Sequence, residues 1–286
     1  MTERMAEPNS QALSETMIDI ARYKKEGFLF FENFFDPKEI SQLLSEAKDV
    51  FRNQMKKNHL DSFDPAEERA FEKGMYALFE KDFEGLVNCG RQVQHLLSLH
   101  RLGTAPRIVE VLKALGLAAP VISVRPVMYF NSKFLAKEED YWRLGAHQDW
   151  RSSQGSLDSI TVWIPLVDVN KSLGALQVIP RSHKWGLLES ENVSYYGKIM
   201  EPLPEDNFTP IEARLGDALF FSSFLVHRSG TNSTGSIRWS CHFRFNNLNE
   251  PLFIDRSYPL PFSYKPQEGL ITPGFPSRDL LDRLFD

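Results

Sequence analysis

Cysteine is nearly absent: the chain has two, Cys89 and Cys241. Two thiols cannot build a disulfide framework, and a reducing compartment is the simpler reading. A basic excess is also missing. Lys and Arg number 33 against 38 Asp and Glu, a formal net charge of −5, so the chain lacks the electrostatic footprint of a nucleic-acid binder. Long apolar runs are absent too. The longest, 115–124 and 218–226, fall far short of the roughly 20 residues that cross a bilayer. The opening stretch MTERMAEPNS carries acids and no apolar segment, so no secretory leader is expected. Neither an internal repeat nor a low-complexity tract is visible. These absences lead to the expectation of a soluble, cytoplasmic protein with no nucleic-acid or membrane partner, and they say nothing of its oligomeric state.

A hydrophobic share of 42% with 25% charged residues is ordinary for a globular protein and excludes a largely disordered chain. With 286 residues the chain can bury a large core, as one generous domain or two small ones. No linker divides it, so residues 1–286 are read as a single domain in three stretches: a helical part over about 14–118, a β-rich core over about 119–247 and a Pro-rich tail over 248–286. Helices are expected over 14–26, ended by Gly27, and from Asp36-Pro37-Lys38-Glu39, an acid at the N-cap followed by Pro and Glu. Two more are expected over 84–100 and 104–115. The charged stretch 58–81 reads as a loop or insertion. Short β-rich runs then follow at 121–130, 159–166, 175–179, 208–213, 218–222 and 237–246, punctuated by turn residues. Helices followed by many short strands predict an α+β protein with a sandwich or barrel core. A last short helix is expected at 277–284.

His147-Gln148-Asp149 is the first group with chemistry in it. On an extended backbone the imidazole and the carboxylate share a face, because strand side chains repeat every two residues. Alone, such a pair arises easily by chance. His227, which follows the Gly216-Asp217 turn and an apolar strand, can supply a third ligand. Two His and one carboxylate leave three positions of an octahedron open, the arrangement of non-haem Fe(II) oxygenases. A structural zinc site would favour four ligands and cysteine. Arg238 is the fourth element, eleven residues after His227. In the strand around it Arg238, Ser240, His242 and Arg244 share one face, and Trp239, Cys241, Phe243 and Phe245 the other. Either the polar face is solvated, or it is buried and needs an anion. A small dicarboxylate fits the second case, since a guanidinium pairs with a carboxylate in bidentate fashion and Ser240 can add a hydroxyl.

His147-Gln148-Asp149, His227 and Arg238, in this order and spacing, resemble the phytanoyl-CoA dioxygenase family of Fe(II)/2-oxoglutarate oxygenases. Supporting segments are 19–31 with the Gly27 turn, Trp163-Ile164-Pro165-Leu166, the run from Gly174 to His183, and Gly216-Asp217. The likeness covers roughly 15–50 and 120–246. It implies a double-stranded β-helix, a cupin-like jelly roll, with flanking N-terminal helices. It implies Fe(II) on His147, Asp149 and His227, 2-oxoglutarate as cosubstrate with its distal carboxylate on Arg238 and Ser240, and O2 as oxidant. Gln148, Trp163 and Tyr129 match positions that line the cosubstrate pocket in relatives. His183 falls in a structural Pro-x-Ser-His turn, and His242 is expected to be a satisfied barrel histidine.

The implied activity is hydroxylation of an unactivated C–H bond in a small molecule, with release of succinate and CO2. A carboxylate at 149 argues against halogenation, in which relatives leave that ligand position empty. Desaturation or cyclisation in natural-product biosynthesis uses the same centre, and a catalytically silent metal-binding relative, a cupin that needs no 2-oxoglutarate and a nucleic-acid demethylase are the other classes. Tyr141, Trp142, Arg143, Trp150 and Arg151 either approach the metal and hold an anionic substrate or form an exposed loop with snorkelling arginines.

Overall fold

The computed structural model describes residues 18–60, 69–193 and 196–260; the helix expected at 277–284 lies outside them. Helix α1 (Ile20–Glu26) begins where Asp19 accepts a hydrogen bond from the Arg22 amide at 2.8 Å and ends at Gly27, which takes φ 87°. That left-handed conformation suits glycine, and a Cβ there would collide with the His183 ring. After strand β1 (Phe28–Phe31), α2 (Pro37–Lys57) starts from Asp36, which accepts from the Lys38 amide, with Pro37 in the first turn. Its buried side chains, Ile40, Leu43, Ala47, Phe51 and Met55, follow helical spacing.

Of the charged stretch 58–81 read as a loop, the described part from Ala70 on is helical. That helix, α3 (Ala70–Lys81), buries Ala70, Gly74, Met75 and Leu78. Glycine inside the helix and charges over its outer face hide that stripe from a propensity reading. The single helix expected over 84–100 is broken: α4 (Phe83–Gln92) passes through a 3-10 turn at Val93–His95 to α5 (Leu97–Gly103). α6 (Pro106–Ala114) completes the helical part.

The β-rich runs form two antiparallel sheets. β2 (Pro120–Asn131), β3 (Ile160–Pro165), β8 (Ala218–Ser222) and β10 (Arg238–Asn247) join β1 in a five-stranded sheet of order β1-β8-β3-β10-β2. The second sheet contains β4 (Leu176–Val178), β7 (Thr209–Ile211) and β9 (His227–Ser229) in the order β7-β4-β9. It continues through single-residue bridges from His147 to both His227 and Lys198, and so reaches a hairpin of β5 (Ser190–Val193) and β6 (Tyr196–Ile199). No expectation covered this hairpin, since its short polar strands carry no alternation.

Alternation decides which way each side chain of the large sheet points. Leu29, Phe31, Ile160, Val162, Phe220, Trp239, Cys241 and Phe243 pack outward into one core with the helices. Phe28, Trp163, Leu219 and Phe221 pack inward against Leu176, Val178 and Ile211 of the small sheet. Two facing sheets with helices on the outer face of one are the jelly roll with flanking helices that was expected. No helix among the described residues is long and apolar enough to cross a membrane.

Candidate active site

His147 and His227 lie opposite each other where the chain closes the small sheet. Each donates its backbone N–H to the other's carbonyl, at 3.0 and 3.1 Å, so the two imidazoles leave the sheet side by side with ring centroids 4.1 Å apart. Each ring is turned by its own backbone. His147 Nδ1 lies 2.8 Å from the Gly145 carbonyl and His227 Nδ1 3.0 Å from the Leu225 carbonyl. An Nδ1–H donated to a carbonyl leaves Nε2 as the lone-pair nitrogen. His147 Nε2 is 3.9 Å from Asp149 Oδ1, and one ligand atom from each of His147, Asp149 and His227 lies within 4.8 Å of the others. All three residues are buried. Two imidazole nitrogens and one carboxylate oxygen, converging this closely, form a donor set suited to a divalent metal.

The Asp149 carboxylate is held from the opposite sheet. Thr161 of β3 donates its hydroxyl to Oδ2 at 2.7 Å, and Arg244 of β10 donates Nη2–H to Oδ1 at 2.9 Å. Burial alone would raise the carboxyl's pKa. The Arg244 guanidinium and then the two imidazoles override that, so Asp149 stays ionised well below the usual carboxylate range. Burial, helped by the neighbouring His227, pushes the His147 imidazole down to about 3, and burial lowers His227, so both are neutral and able to ligate at physiological pH.

Arg238 is buried on the inner face of β10. Its guanidinium donates to the Gly174 carbonyl, to Asn131 Oδ1 and to Ser229 Oγ, the last two at 3.2 Å. Gly174 stands at φ 85°, and a Cβ there would run into the backbone of Gly230 and Asn232, so only glycine brings that carbonyl to the arginine. Every partner of Arg238 is neutral. Burial pulls its pKa down to about 10, which leaves it charged, and a buried cation without an anion is costly. Four buried polar atoms here have no partner among the described residues: Arg238 Nε, Ser240 Oγ, His242 Nδ1 and Trp163 Nε1. Three belong to alternate residues of one strand, and Trp163 pairs in register with His242. Such atoms call for a polar ligand.

The cavity between the sheets is lined by Tyr129, Trp163, Arg238, His242 and Arg244 with His147 and His227. Tyr129 stacks edge-on against His242 at 5.0 Å. Ser240 is buried directly between Arg238 and His242 on the same face.

Gln148 does not reach this cavity. Successive side chains on an extended backbone point to opposite sides, so it turns away from its two neighbours. Its amide donates to the carbonyls of Gly186 and Phe224 at 2.8 and 2.7 Å and accepts from the Leu188 amide at 2.9 Å. It is a backbone clip and not a pocket residue. Of the aromatic and cationic group 141–143 and 150–151, none lines the cavity. Trp150 stacks on Phe224 at 5.3 Å and Arg143 pairs with Glu139 on the surface. His183 packs at Gly27 and the Lys24 carbonyl, away from the triad. His242 is not the satisfied histidine expected, since Nδ1 has no partner. Thr161, Ser229 and Asn131 were not singled out from sequence. Period two could have found the first two, because Thr161 lies two residues before Trp163 and Ser229 two after His227.

Residues 23–240 match the family model described as Phytanoyl-CoA dioxygenase (PhyH). The chain is 24% identical over 232 residues to the human peroxisomal phytanoyl-CoA dioxygenase, a match that spans 77% of this chain but only 66%, just under two thirds, of the human protein. It is 29% identical over 165 residues to a 1-deoxypentalenic acid 11-beta-hydroxylase of Streptomyces exfoliatus, across 54% of this chain and 58% of that one. Among solved structures, the epimerase SnoN in complex with Fe3+, alpha ketoglutarate and nogalamycin RO superposes with a TM-score of 0.56 at 19% identity, over 88% of this chain and 92% of its own. EctD from S. alaskensis in its apoform superposes at 0.55 and 16% identity, over 91% of each chain. At these identities the structural likeness speaks for the fold.

Proposed function

The chain belongs to the phytanoyl-CoA dioxygenase family, and from that premise we propose that it is an Fe(II)- and 2-oxoglutarate-dependent dioxygenase that hydroxylates an unactivated C–H bond of a small molecule. The observation that carries this reading is the pairing of a buried two-histidine, one-carboxylate cluster with a buried arginine that has no anionic partner. His147, Asp149 and His227 would hold the metal through Nε2, Oδ1 and Nε2. Arg238, with Ser240 beside it, would take the distal carboxylate of 2-oxoglutarate, and the unpartnered Arg238 Nε and Ser240 Oγ fit that ligand. Trp163 and Tyr129 would wall the cosubstrate in. When bound, iron and 2-oxoglutarate supply O2 activation, with succinate and CO2 as coproducts.

The protein's part is position and exclusion of water. The Gly145 and Leu225 carbonyls keep both imidazoles turned and burial keeps them neutral, Thr161 and Arg244 keep Asp149 turned and ionised, and Trp163, Leu176 and Leu144 line the cavity. Because Asp149 fills the third ligand position, the reading is oxygen transfer and not halogenation. Hydroxylation also follows the names of the two sequence relatives, a dioxygenase and a hydroxylase. We read the chain as one domain, and the two buried free thiols, Cys89 and Cys241, favour a cytoplasmic setting.

The test is succinate release from 2-oxoglutarate by the full chain with Fe(II) and O2. Wild type should release succinate only when all three are present, and Asp149→Ala should lose at least about a hundredfold in rate, at the upper end of ligand-shell effects. Full activity in the variant, or no succinate from the wild type, would falsify the assignment.

A further inference from the structure

The candidate metal cluster lies between two arginines of one strand. Arg238 hydrogen-bonds Ser229, two residues beyond His227, and Arg244 hydrogen-bonds Asp149. Both guanidinium groups line the same cavity, together with Arg228, and no Asp or Glu is among the lining residues. Arg228 is neutralised outside the cavity by Glu205 at 2.8 Å. The other two are not equivalent once the site is filled as proposed above. Summed over Fe(II), the two carboxylates of 2-oxoglutarate, Asp149, Arg238 and Arg244, the filled site would carry one net positive charge. Both ligating histidines are neutral. Arg238 would have a 2-oxoglutarate carboxylate to itself, whereas Arg244 would share Asp149 with the metal, so the unmatched positive charge falls at Arg244, in a low-dielectric pocket where it is costly.

Arg244 also has donors to spare. A guanidinium carries five N–H groups, and one hydrogen bond, Nη2 to Asp149 Oδ1, is the one it makes among the described residues. Its side chain keeps 15% of its surface accessible. The guanidinium therefore lies at the metal cluster while part of its side chain stays open to solvent. We propose that Arg244 binds an oxyanion of the substrate, a carboxylate or a group of like chemistry, and so selects anionic small molecules and fixes them beside the metal. This rests on the metal and 2-oxoglutarate reading of the site. It names the substrate class that the reading leaves open, and it makes Arg244 a specificity residue.

The test uses the full chain loaded anaerobically with Co(II) and 2-oxoglutarate, and [13C]formate as the smallest carboxylate. Formate held at Arg244 lies close to the paramagnetic ion, so its 13C relaxation should rise and saturate with protein. The apparent affinity should fall at least about tenfold in Arg244→Gln, or roughly 1.4 kcal/mol, and be largely kept in Arg244→Lys, which retains the charge and guards against misfolding of the Gln variant. If Co(II) and 2-oxoglutarate bind, as their visible spectrum shows, but formate relaxation does not saturate, the assignment of Arg244 is wrong. It is equally wrong if both variants relax formate as wild type does, which would place the anion on the metal. A chain whose Co(II) spectrum does not respond to 2-oxoglutarate fails earlier, at the reading of the site itself.

Discussion

His147 and His227 show how little freedom the candidate ligands have. Each ring is hydrogen-bonded by Nδ1 to a carbonyl two residues earlier in its own chain, so the local backbone sets the tautomer and the tertiary fold has only to bring the two segments together. Asp149 is different, because both of its oxygens are held from the opposite sheet. Thr161→Val removes one of these holds and keeps the shape of the side chain. Metal affinity should fall about 10–100-fold, the usual effect of removing an outer hydrogen-bond partner, as measured by anaerobic Co(II) titration, with Thr161→Ser restoring it. Unchanged affinity would mean that Arg244 alone orients the carboxylate. Arg238→Ala should act elsewhere. It takes away the group proposed for the far end of 2-oxoglutarate, so the 2-oxoglutarate concentration needed for half-maximal succinate release should rise by a factor of ten or more, since hydrogen bonds to charged groups are worth about 1.5–3 kcal/mol. An unchanged requirement would remove that assignment.

At the scale of the element, β10 is the organising strand. Alternate residues send Trp239, Cys241, Phe243 and Phe245 into the helix-backed core, and Arg238, His242 and Arg244 into the cavity. Both faces are buried apart from part of Arg244, which settles the choice left open by the sequence pattern. The Phe51, Phe130 and Trp239 rings lie within 5.1–5.9 Å of one another and lock the outer face to α2. The 147–149 segment follows the same rule in miniature: His147 and Asp149 point inward and Gln148 outward. Gln148→Leu is therefore a stability variant. It leaves two carbonyls and one amide without their side-chain partner, which should cost about 2–4 kcal/mol and lower the melting temperature, while the 2-oxoglutarate requirement stays that of wild type. A raised requirement at unchanged stability would return Gln148 to the pocket.

For the molecule as a whole, burying so many titratable groups between two sheets makes stability depend on pH. His147, His227 and His242 are all held below the ordinary histidine range, chiefly by burial, and Asp149 is held below the ordinary carboxylate range. Below about pH 6.5 the unfolded chain takes up protons that the folded chain refuses, so stability is full above that pH and is lost as pH falls. By pH 5 each histidine that stays neutral in the fold contributes a loss of about 2 kcal/mol. Asp149 adds a further loss below about pH 4. The metal-free chain should melt at a nearly constant temperature from pH 8 to 7 and progressively lower toward pH 5, with a shallower slope in His242→Gln. A melting temperature independent of pH over that range would show that these imidazoles are more solvated than their burial implies.

Much was legible in the chain itself, because it depends on short-range rules. Asp19 and Asp36 cap helices where their side chains reach the next amides, and Gly27 stops one where φ turns positive. The two faces of β10 follow from a period of two, and of the residues singled out, His147, His227 and Arg238 line one cavity while Asp149 converges with the two histidines. What the chain could not disclose were relations across the roll. Whether the polar face of β10 meets water or a second sheet, that Arg244 and Thr161 meet Asp149, and that Gln148 clips two distant loops are matters of which strands become neighbours. Sequence periodicity sets the direction of a side chain relative to its own backbone, whereas the groups it meets are chosen by long-range strand pairing, which no local pattern encodes.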